Sequence, residues 1–567
     1  MPYRAPIRDI RFILAHVAGF ARVAATARFA EATPDLADAI LTEAGRVATD
    51  ILAPLNRAGD RHPARLDSGA VVASPGFLDG YRAVAGGGWV GMTASRAHGG
   101  MGLPHALGMA VDEMMAGACL SLHVKSLLTR GQIEALEHHA SDALKALYLP
   151  RLISGEWSGT MNLTEPQAGS DVGALRTRAE ARGDGTHAIT GQKIYISWGD
   201  SDLVANVCHL VLARLPDGPE GTKGISLFMV PKFLPDAAGR PGVRNALQVV
   251  SLEHKLGLHG SPTCVMQFDG ATGWLVGEAH RGMAAMFTMM NTARLSVALQ
   301  GVGVAEAALQ HALAHALERR QGATPVSPTG SIIEHADVRR MLATMRAEVF
   351  AARAIALGCA VALDMAAATG SADWRARAAF LTPIAKAYGT DIGCEVAHQA
   401  VQVFGGMGFV EETGAAQFLR DVRITPIYEG TNGIQAMDLV GRKLADGGEA
   451  AFRLIDEIRR GAEAARAGHP DLAAEVWQAS EALRTATGAM VARPLNDRFA
   501  GAVPYLRAFA RVLGADAHLR AAIADPARLA LARVMIRRLL PEHAALLSAA
   551  RDGAEGLYAV TPEDLAA

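Results

Sequence analysis

The spacing of apolar residues predicts a helical segment over residues 36–156. In LADAILTEAGRVATDILAPL, at 36–55, apolar side chains recur at positions i, i+3 and i+4, which is the pattern of an amphipathic helix. SDALKALYLPRLI, at 141–153, repeats that spacing. The glycine-rich stretches AGGGWVGM at 85–92 and HGGMGLP at 98–104 interrupt the pattern and indicate loops.

The pattern changes at about residue 157 and predicts strands as far as residue 280. HAITGQKIYISWG at 187–199, DLVANVCHLVLARL at 202–215 and GISLFMVPK at 224–232 alternate or stay apolar over short lengths, and turn residues bound them. Because no helical pattern lies between these runs, they indicate an antiparallel sheet rather than strand–helix–strand units.

Helical spacing returns after residue 280 in three long segments and continues, with short breaks, to the end of the chain. The pattern therefore predicts an α+β protein in which helices both precede and follow a β-domain. The predicted divisions are an N-terminal extension (1–35), a helical N-terminal domain (36–156), a middle antiparallel β-domain (157–280), a helical bundle (281–445) and a helical C-terminal extension (446–567).

Composition argues against several classes of function. The 567 residues carry a formal charge of −2, and acids and bases nearly balance within 446–567, so no positive field favours nucleic acid. The five cysteines form no CxxC pair, and no apolar run reaches the ~18–20 residues of a membrane span. Asp9 and His16 interrupt the apolar stretch near the start, so we predict a cytoplasmic protein without a signal peptide.

Common catalytic motifs are missing from the sequence. It contains no Walker A, HExxH or GxSxG motif and no cluster of metal ligands, so no metal site is predicted. GVGVAE at 301–306 and GMGFVE at 406–411 each fall one glycine short of GxGxxG and follow no predicted strand. A Rossmann dinucleotide site is therefore unsupported.

Two polar stretches carry the candidate chemistry. In MNLTEPQAGSD, at 161–171, small residues let backbone N–H groups approach a ligand, although an ordinary capped turn is the alternative. In ITPIYEGTNGIQA, at 424–436, Glu429 lies among apolar residues. A carboxylate in that setting must be paired, neutralised or used, although acids near the start of a helix are also common.

Residues 161–171 resemble the flavin-binding signature of the acyl-CoA dehydrogenases. Four further blocks resemble that family in the same order: QKIYISWGD (192–200), ALERRQG (316–322), AVQVFGGMGF (400–409) and IYEGTNGIQ (427–435). PIRDIRFIL, EHKLGLHGSPT, MFTMMNTARL and the helical tail are similar to an enlarged branch that includes 3-methylmercaptopropionyl-CoA dehydrogenases. The resemblance implies FAD, a four-helix domain after the β-domain, and α,β-dehydrogenation of an acyl-CoA thioester.

The resemblance also implies roles for individual residues. Glu429 matches the catalytic base, and Asn291, Thr292 and Ala293 offer no carboxylate where some branches place it. The implied FAD contacts are Met161, Leu163, Thr164, Ser170, Tyr195, Ser197, Arg319, Gln402, Gly405, Gly406, Thr431 and Gly433. The implied substrate contacts are Ser170, Asn291, Arg294 and Gly430. Tyr195 replaces a frequent tryptophan, and Gln321–Gly322 replaces the usual Thr–Phe after the arginine.

Assembly and partners follow from the same resemblance. Arg319, Gln402, Gly405 and Gly406 match groups that reach the FAD of a neighbouring subunit. In family members with a large tail, the tail occupies the surface that smaller members use to form tetramers, so a homodimer is expected. An electron-transfer flavoprotein is the expected acceptor, and oxygen, as in an acyl-CoA oxidase, is the alternative. Candidate substrates are 3-methylmercaptopropionyl-CoA and medium- or long-chain acyl-CoAs. One further alternative is a nucleic-acid-binding relative of the same fold, and the balanced charge of the tail argues against it. Another is a helical scaffold that has lost catalysis, and the retained Glu429 argues against that.

Overall fold

The chain separates into two compact units in a computed structural model that describes residues 3–326 and 328–567. The bundle unit contains the residues up to Gly45, Pro104–Gly117 and Arg294–Ala567. The sheet unit contains Arg46–Leu103 and Ala118–Ala293. Two long helices each begin in one unit and end in the other.

Helices dominate the secondary structure and both precede and follow, along the chain, the strands of one large sheet. The α-helices are α1 (Ile7–Phe12), α2 (Ala21–Ala24), α3 (Pro34–Arg46), α4 (Ala53–Arg61), α5 (Phe77–Gly86), α6 (His105–His139), α7 (Asp142–Ile153), α8 (Gly282–Glu318), α9 (Ala336–Thr369), α10 (Ala372–Phe404), α11 (Ala415–Val422), α12 (Asn432–Gly441), α13 (Glu449–Ala465), α14 (Pro470–Ala492), α15 (Leu495–Ala500), α16 (Ala502–Ala524), α17 (Leu529–Val534), α18 (Glu542–Ala550), α19 (Glu555–Ala559) and α20 (Pro562–Ala566). The strands are β1 (Arg65–Asp67), β2 (Ala70–Val72), β3 (Trp157–Asn162), β4 (Arg178–Ala181), β5 (His187–Ser197), β6 (Asn206–Arg214), β7 (Ile225–Pro231), β8 (Phe233–Pro235), β9 (Pro241–Arg244), β10 (Leu247–Leu252) and β11 (Thr263–Val276). The predicted order of helices, strands and helices is therefore confirmed, as is the α+β class.

The large sheet has seven strands, in the order β10, β11, β5, β4, β6 and β3, with β7 pairing with both β11 and β6. Most neighbours are antiparallel, as predicted, but β3 is parallel to β6 from Trp157 opposite Asn206 to Asn162 opposite Val211. Strand β4 also meets β6 in parallel. The sheet is therefore mixed rather than purely antiparallel. The β4–β5 hairpin supplies the long connection that parallel strands need, and a single strand's pattern carries no sign of its partner's direction.

Burial explains the apolar patterns of the strands. Every residue of β7 and all but the last of β6 are buried, which accounts for their continuous apolar runs. Strand β5 is buried only at intervals, as its alternating sequence predicts. The core of the sheet includes Ile189, Ile196, Val211, Phe228 and Phe268. Inside the segment predicted as helical, β1 and β2 form a small hairpin that the helical pattern did not indicate.

The bundle unit is organised around α9 and α10, which pack against each other. Gly370 has φ 67° and ends α9, and the Ser371 side chain accepts a hydrogen bond from the Trp374 N–H to begin α10. Helices α11 and α12 pack on α10. This packing places the loop before α12, which contains Glu429, against the buried helix α10.

The C-terminal extension belongs to the bundle unit. Helix α16 packs against α9, α10 and α12, and most of its residues are buried. Its buried Arg511 donates to the Glu348 carboxylate and, at 3.1 Å, to the Tyr388 hydroxyl. Arg528, farther along the extension, donates to Asp9 near the start of the chain at 2.8 Å. The segment around Asp9 and the extension around Arg511 and Arg528 are therefore both integral to this unit.

Two helices, α6 and α9, are long and apolar enough to cross a membrane. Their most apolar windows are 100% and 89% buried within the fold. A helix that is apolar all round and buried in protein is typical of a large core. These helices are therefore weak evidence for a membrane span.

Candidate active site

Glu429 lies in a tight turn that leads into α12. The Asn432 N–H donates to the Pro426 carbonyl at 3.0 Å and closes this turn. Glu429 and Gly430 both have left-handed backbone, with φ 55° and 82°. Glycine adopts this conformation freely, whereas for glutamate it costs roughly 1–3 kcal/mol and persists only where the surroundings enforce it. Such strain is concentrated at functional sites, so the turn is a candidate site on geometry alone.

Two side chains hold the strained backbone of this turn. The Gln435 amide, 1% exposed, donates to the carbonyls of Glu429 at 3.3 Å and Gly430 at 3.2 Å. Arg294 Nε, from α8, donates to the Glu429 carbonyl at 3.4 Å. A Cβ on Gly430 would lie 2.7 Å from Gln435 Nε2, so a side chain there would displace the amide. The turn is thus fixed through its carbonyl oxygens.

Asn432 anchors the same turn on α10. Its amide nitrogen donates to Asp391 Oδ1 at 2.7 Å and to Thr390 Oγ1 at 2.9 Å, as well as to the Ala387 carbonyl at 3.2 Å. Its amide oxygen accepts a 2.9 Å hydrogen bond from Lys386 Nζ. One side chain three residues from Glu429 therefore satisfies a row of polar groups on α10.

The electrostatic surroundings of Glu429 suit proton transfer near neutral pH. Burial raises the pKa of the Glu429 carboxyl to about 7, while the charges of Arg294 and Lys386 act in the opposite direction. Burial lowers the pKa of Lys386 to about 8, whereas Glu429 and Asp391 raise it. A carboxyl with a pKa close to the working pH both accepts and releases a proton readily, which is what a general base requires.

The predicted substrate contacts divide between the two units. Arg294 and Gly430 lie beside Glu429 in the bundle unit, and Arg294 is 7% exposed. Asn291 and Ser170 belong to the sheet unit, where both are exposed. The structure therefore brings Arg294, Gly430 and Glu429 together.

In the sheet unit, Glu165 organises the segment that follows β3. Its carboxylate accepts hydrogen bonds from the Thr177 hydroxyl at 2.6 Å, from the Arg176 N–H at 2.7 Å and from Lys193 Nζ at 2.8 Å. Burial would raise the pKa of Glu165, but Lys193 and these hydrogen bonds outweigh it and lower the pKa to about 2. The ionised carboxylate fixes the segment, and the carbonyl of Leu163, two residues earlier, accepts a hydrogen bond from the same Lys193 Nζ at 3.0 Å.

Strand β5 lies beside this segment and presents an aromatic side chain. The Ile194 N–H donates to the Thr164 carbonyl at 3.0 Å, and the Ser197 carbonyl accepts the Thr160 hydroxyl at 2.8 Å. Between them, Tyr195 has φ 60° and is 60% exposed. These bonds bring the two predicted flavin-binding segments side by side, with Met161 and Leu163 half-buried in the first.

Four other predicted flavin contacts lie at the ends of α8 and α10 in the bundle unit. His315 near the end of α8 stacks on Phe404 at the end of α10, with ring centroids 4.0 Å apart. This contact brings the two helix ends together. The exposed residues there are Arg319, Gln402, Gly405 and Gly406.

The remaining two predicted contacts, Thr431 and Gly433, begin helix α12. Thr431 Oγ1 accepts the Ile434 N–H at 3.3 Å, so its side chain caps the helix. Both residues are exposed, and the N–H groups of the first turn remain oriented along the helix axis. This helix start is suited to an anion.

Sequence reasoning did not assign Lys386, Asn432 or Gln435 to the support of Glu429. Lys386 is the one charged residue of the apolar stretch LTPIAKAYG, and it is fully buried. A single lysine within this apolar stretch was the available signal, because such a charge must find a partner. Gln435 stands within the quoted block at 424–436 but was not assigned a role, and Asn432 was included only in the range 431–433 that the resemblance matches to FAD contacts.

Four family descriptions match consecutive parts of the chain. The N-terminal, middle and C-terminal domains of acyl-CoA dehydrogenase match residues 39–156, 160–271 and 280–444. A description named "Acetyl-CoA dehydrogenase C-terminal like" matches residues 454–561. The 3-methylmercaptopropionyl-CoA dehydrogenase of Ruegeria pomeroyi is 46% identical over 524 residues, spanning 89% of this chain and 88% of that relative. The chain therefore belongs to the acyl-CoA dehydrogenase family of FAD-dependent oxidoreductases.

Solved structures share the fold across nearly the whole chain. Caenorhabditis elegans ACDH-11, in complex with C11-CoA, has a TM-score of 0.79 and 20% identity, covering 94% of this chain and 91% of that chain. An acyl-CoA dehydrogenase from Bacillus anthracis complexed with FAD has a TM-score of 0.76 and 19% identity, covering 94% of this chain and 90% of that chain. At these identities the likeness establishes the fold alone.

The residues of this chain fit an FAD. Tyr195 offers an exposed aromatic face for stacking, and the exposed start of α12 at Thr431 offers N–H groups to a phosphate. A Cβ built on Gly405 or Gly406 meets nothing within 4 Å, so the backbone there is open to close approach. Both the stacking and the phosphate-binding groups that a flavin dinucleotide needs are therefore present.

Proposed function

We propose that this protein removes two hydrogens from an acyl-CoA thioester, giving the trans-2-enoyl-CoA, with Glu429 as the base that takes the α-proton. The observation that carries the proposal is the clamped, left-handed Glu429, whose pKa burial raises to about 7. A carboxyl with that pKa is about half ionised at neutral pH, so it is available to accept a proton. Binding of a thioester would exclude water and make the carboxylate more basic.

The bundle unit supplies the positioning of the base. Gln435 and Arg294 hold the Glu429 carbonyl, and Asn432 ties the turn to α10. Because these bonds engage the backbone, the carboxylate is oriented by a rigid support rather than by its own hydrogen bonds. Arg294, Gly430, Asn291 and Ser170 are the residues that we assign to the CoA thioester.

FAD, when bound, would accept the hydride that leaves the β-carbon. We assign its isoalloxazine ring to Met161, Leu163, Thr164, Ser170, Tyr195 and Ser197 in the sheet unit. Its phosphates and remaining parts are assigned to Arg319, Gln402, Gly405, Gly406, Thr431 and Gly433. Arginine suits a phosphate by its fork of donors, and α12 suits it by its exposed N–H groups.

Two classes of acyl group are candidates for the thioester. The Ruegeria pomeroyi relative acts, by its name, on 3-methylmercaptopropionyl-CoA, and its 46% identity over most of the chain makes that thioester the first candidate. The buried helix α6 contains Met114 and Met115, flexible side chains of the kind that adapt to a thioether or a longer chain, although ordinary helix packing also accounts for them. Medium- and long-chain acyl-CoAs are the second candidates.

We further propose a cytoplasmic homodimer that passes its electrons to an electron-transfer flavoprotein. All five cysteines are free thiols, which agrees with a reducing compartment. Arg319, Gln402, Gly405 and Gly406 are exposed, as groups that reach a second subunit must be before assembly. Sedimentation of the holoenzyme tests the dimer, and oxygen uptake without added acceptor tests the oxidase alternative.

Anaerobic titration tests the reaction itself. Purified holoenzyme is mixed with acyl-CoAs from butyryl to palmitoyl and with 3-methylmercaptopropionyl-CoA, and flavin bleaching is followed. We expect one class of thioester to bleach the flavin, and Glu429→Gln to slow that step by at least about 100-fold. A matched Glu220→Gln variant, changed at an exposed loop of the sheet unit, should bleach as the wild type does. A holoenzyme that no thioester bleaches would contradict the proposal.

A further inference from the structure

Lys386 is a buried amine next to the strained turn. It lies on α10 and is 0% exposed. Its Nζ donates to Asn432 Oδ1 at 2.9 Å, and Asn432 is three residues from Glu429. Burying an ammonium in an apolar helix bundle costs several kcal/mol unless charge and hydrogen bonds compensate. A neutral donor would satisfy Asn432 at lower cost, so the charge of Lys386 needs a separate explanation.

The carboxylate of Glu429 is the strongest electrostatic partner of this amine. Burial lowers the pKa of Lys386, and the Glu429 carboxylate is the larger of the influences that raise it. The same interaction in reverse lowers the pKa of Glu429 against its burial. The other titratable or charged groups around the pair are Arg294 from α8, Asp391 and Cys394 from α10, and Tyr428 from the turn. Arg294 supports the ionised Glu429 as well, so Lys386 is one of two cations that do so.

We propose that Lys386 is a positioning residue for Glu429: its ammonium, fixed by Asn432, keeps the carboxylate ionised and its turn in place. The inference rests on the proposed role of Glu429 as base. Without the ammonium, burial would leave more of Glu429 protonated at neutral pH, and a protonated carboxyl cannot take the α-proton. After the proton is taken, Lys386 faces a neutral carboxyl, which favours release of that proton to solvent. Lys386 thus supports both the removal of the α-proton by Glu429 and the later release of that proton.

The test compares three variants by the titration of Glu429 itself. Infrared difference spectra between each protein and the same protein carrying Glu429→Gln isolate the carboxyl band of Glu429. Lys386→Gln keeps a hydrogen-bond donor for Asn432 and removes the charge, whereas Lys386→Arg keeps the charge. Lys223→Gln, at an exposed site of the sheet unit, is the matched control. We expect the Glu429 midpoint to rise by about 0.5–1 pH unit in Lys386→Gln and to stay unchanged in Lys386→Arg and in the control.

A reciprocal measurement does not depend on the Lys386→Gln variant. The sequence has eight lysines, so their ¹³Cε signals can be resolved, and the signal missing in Lys386→Arg identifies Lys386. Since coupling between two sites is mutual, the Lys386 midpoint should fall in Glu429→Gln by about the amount that Glu429 rises in Lys386→Gln. The Lys386 titration in the wild type and in Glu429→Gln therefore tests the coupling even if Lys386→Gln does not fold.

The outcomes separate this inference from the proposed function. If wild-type flavin is bleached by an acyl-CoA but neither midpoint moves, the inference is overturned while the proposed function stands. If no thioester bleaches the flavin, the proposed function fails, and the two titrations still report whether Lys386 and Glu429 are coupled. In the bleaching reaction, the acid limb of the rate should move to higher pH in Lys386→Gln. A uniform loss at every pH, without a shift, would make Lys386 merely structural.

Discussion

Lys193 Nζ lies 2.8 Å from Glu165 Oε1, and the two side chains are 0% and 3% exposed. The same ammonium donates to the Leu163 carbonyl at 3.0 Å. One lysine of β5 therefore holds both the carboxylate and the backbone of the segment that follows β3. Since Tyr195 is two residues along β5 from Lys193, this ion pair fixes two of the predicted flavin-binding segments relative to each other.

Replacing Lys193 by methionine should destabilise the protein strongly. The substitution leaves the Glu165 carboxylate buried without its cation, and breaking one side of a buried pair costs about 3–5 kcal/mol. Urea unfolding of the apoprotein, followed by tryptophan fluorescence, measures the loss. We also expect weaker FAD retention, because the segment at 161–165 loses its anchor.

An exposed pair in the same unit is the control for that prediction. Arg240 and Asp236 lie 2.9 Å apart with side chains 72% and 35% exposed. Solvent screens such a pair, so Arg240→Met should cost at most about 1 kcal/mol. Equal losses of unfolding free energy in Lys193→Met and Arg240→Met would mean that burial does not make the first pair more important for stability.

Flavin reduction should depend on pH through Glu429. Burial raises the pKa of its carboxyl to about 7, and the carboxylate is the form that accepts a proton. Below pH 7 the group is increasingly protonated, so kcat/KM for anaerobic reduction should fall about tenfold per pH unit, and above pH 7 it should level off. Stopped-flow mixing with a reactive acyl-CoA at low concentration measures this profile. A rate that is flat from pH 5 to 9, or that rises towards acid, would place the base elsewhere.

Two neighbouring glycines should respond differently to alanine. Gly430 has φ 82° and a Cβ there would lie 2.7 Å from Gln435 Nε2, so Gly430→Ala should destabilise the protein by about 1–3 kcal/mol and slow flavin reduction. A Cβ on Gly433 meets only Thr431 Oγ1 at 3.8 Å, and the residue is helical, so alanine there should leave the apoprotein equally or more stable.

The comparison separates strain from cofactor contact. If the backbone of Gly433 approaches FAD, Gly433→Ala should weaken FAD binding while thermal unfolding of the apoprotein is unchanged. FAD titration by fluorescence quenching measures the first quantity and calorimetry the second. Unchanged FAD affinity in Gly433→Ala would remove that residue from the predicted contacts.

The order of elements was predictable because each segment carries its own period. The apolar spacing of α7, the buried runs of β6 and β7 and the alternation of β5 each follow from which faces are buried. The parallel pairing of β3 with β6 was not predictable, because it depends on where the β4–β5 hairpin returns the chain. The small β1–β2 hairpin was missed for a different reason: its strands are only three residues long, too short to show a clear alternation.

The candidate site was predictable only as far as the quoted blocks reach. Glu429 stood out as a lone acid among apolar residues, and Glu165 stood within a polar turn. The bond from Lys386 to Asn432 joins residues 46 positions apart and depends on how α10 packs against α12. The left-handed backbone of Glu429 is likewise set by the packing of Gln435, which no local pattern encodes.

The C-terminal extension should prove necessary for folding of the bundle unit. Buried Arg511 of α16 bonds Glu348 of α9 and Tyr388 of α10, and Tyr388 is two residues from Lys386. Arg511→Met leaves the Glu348 carboxylate without a buried cation, so we expect a loss of about 3–5 kcal/mol in unfolding free energy. A chain that ends at residue 445 should aggregate, because it exposes the apolar faces on which α16 packs.

Urea unfolding of Arg511→Met, beside Arg537→Met as control, tests this dependence. Arg537 lies 3.4 Å from Asp471 with side chains 49% and 80% exposed, so its loss should cost no more than about 1 kcal/mol. Flavin reduction should be measured under conditions in which Arg511→Met is fully folded. If the variant still reduces its flavin more slowly, the extension stabilises α10 and, with it, the turn that carries Glu429. A shortened chain that remains monodisperse and retains FAD would instead make the extension a separable domain, because its removal would then leave the packing of α9, α10 and α12 intact.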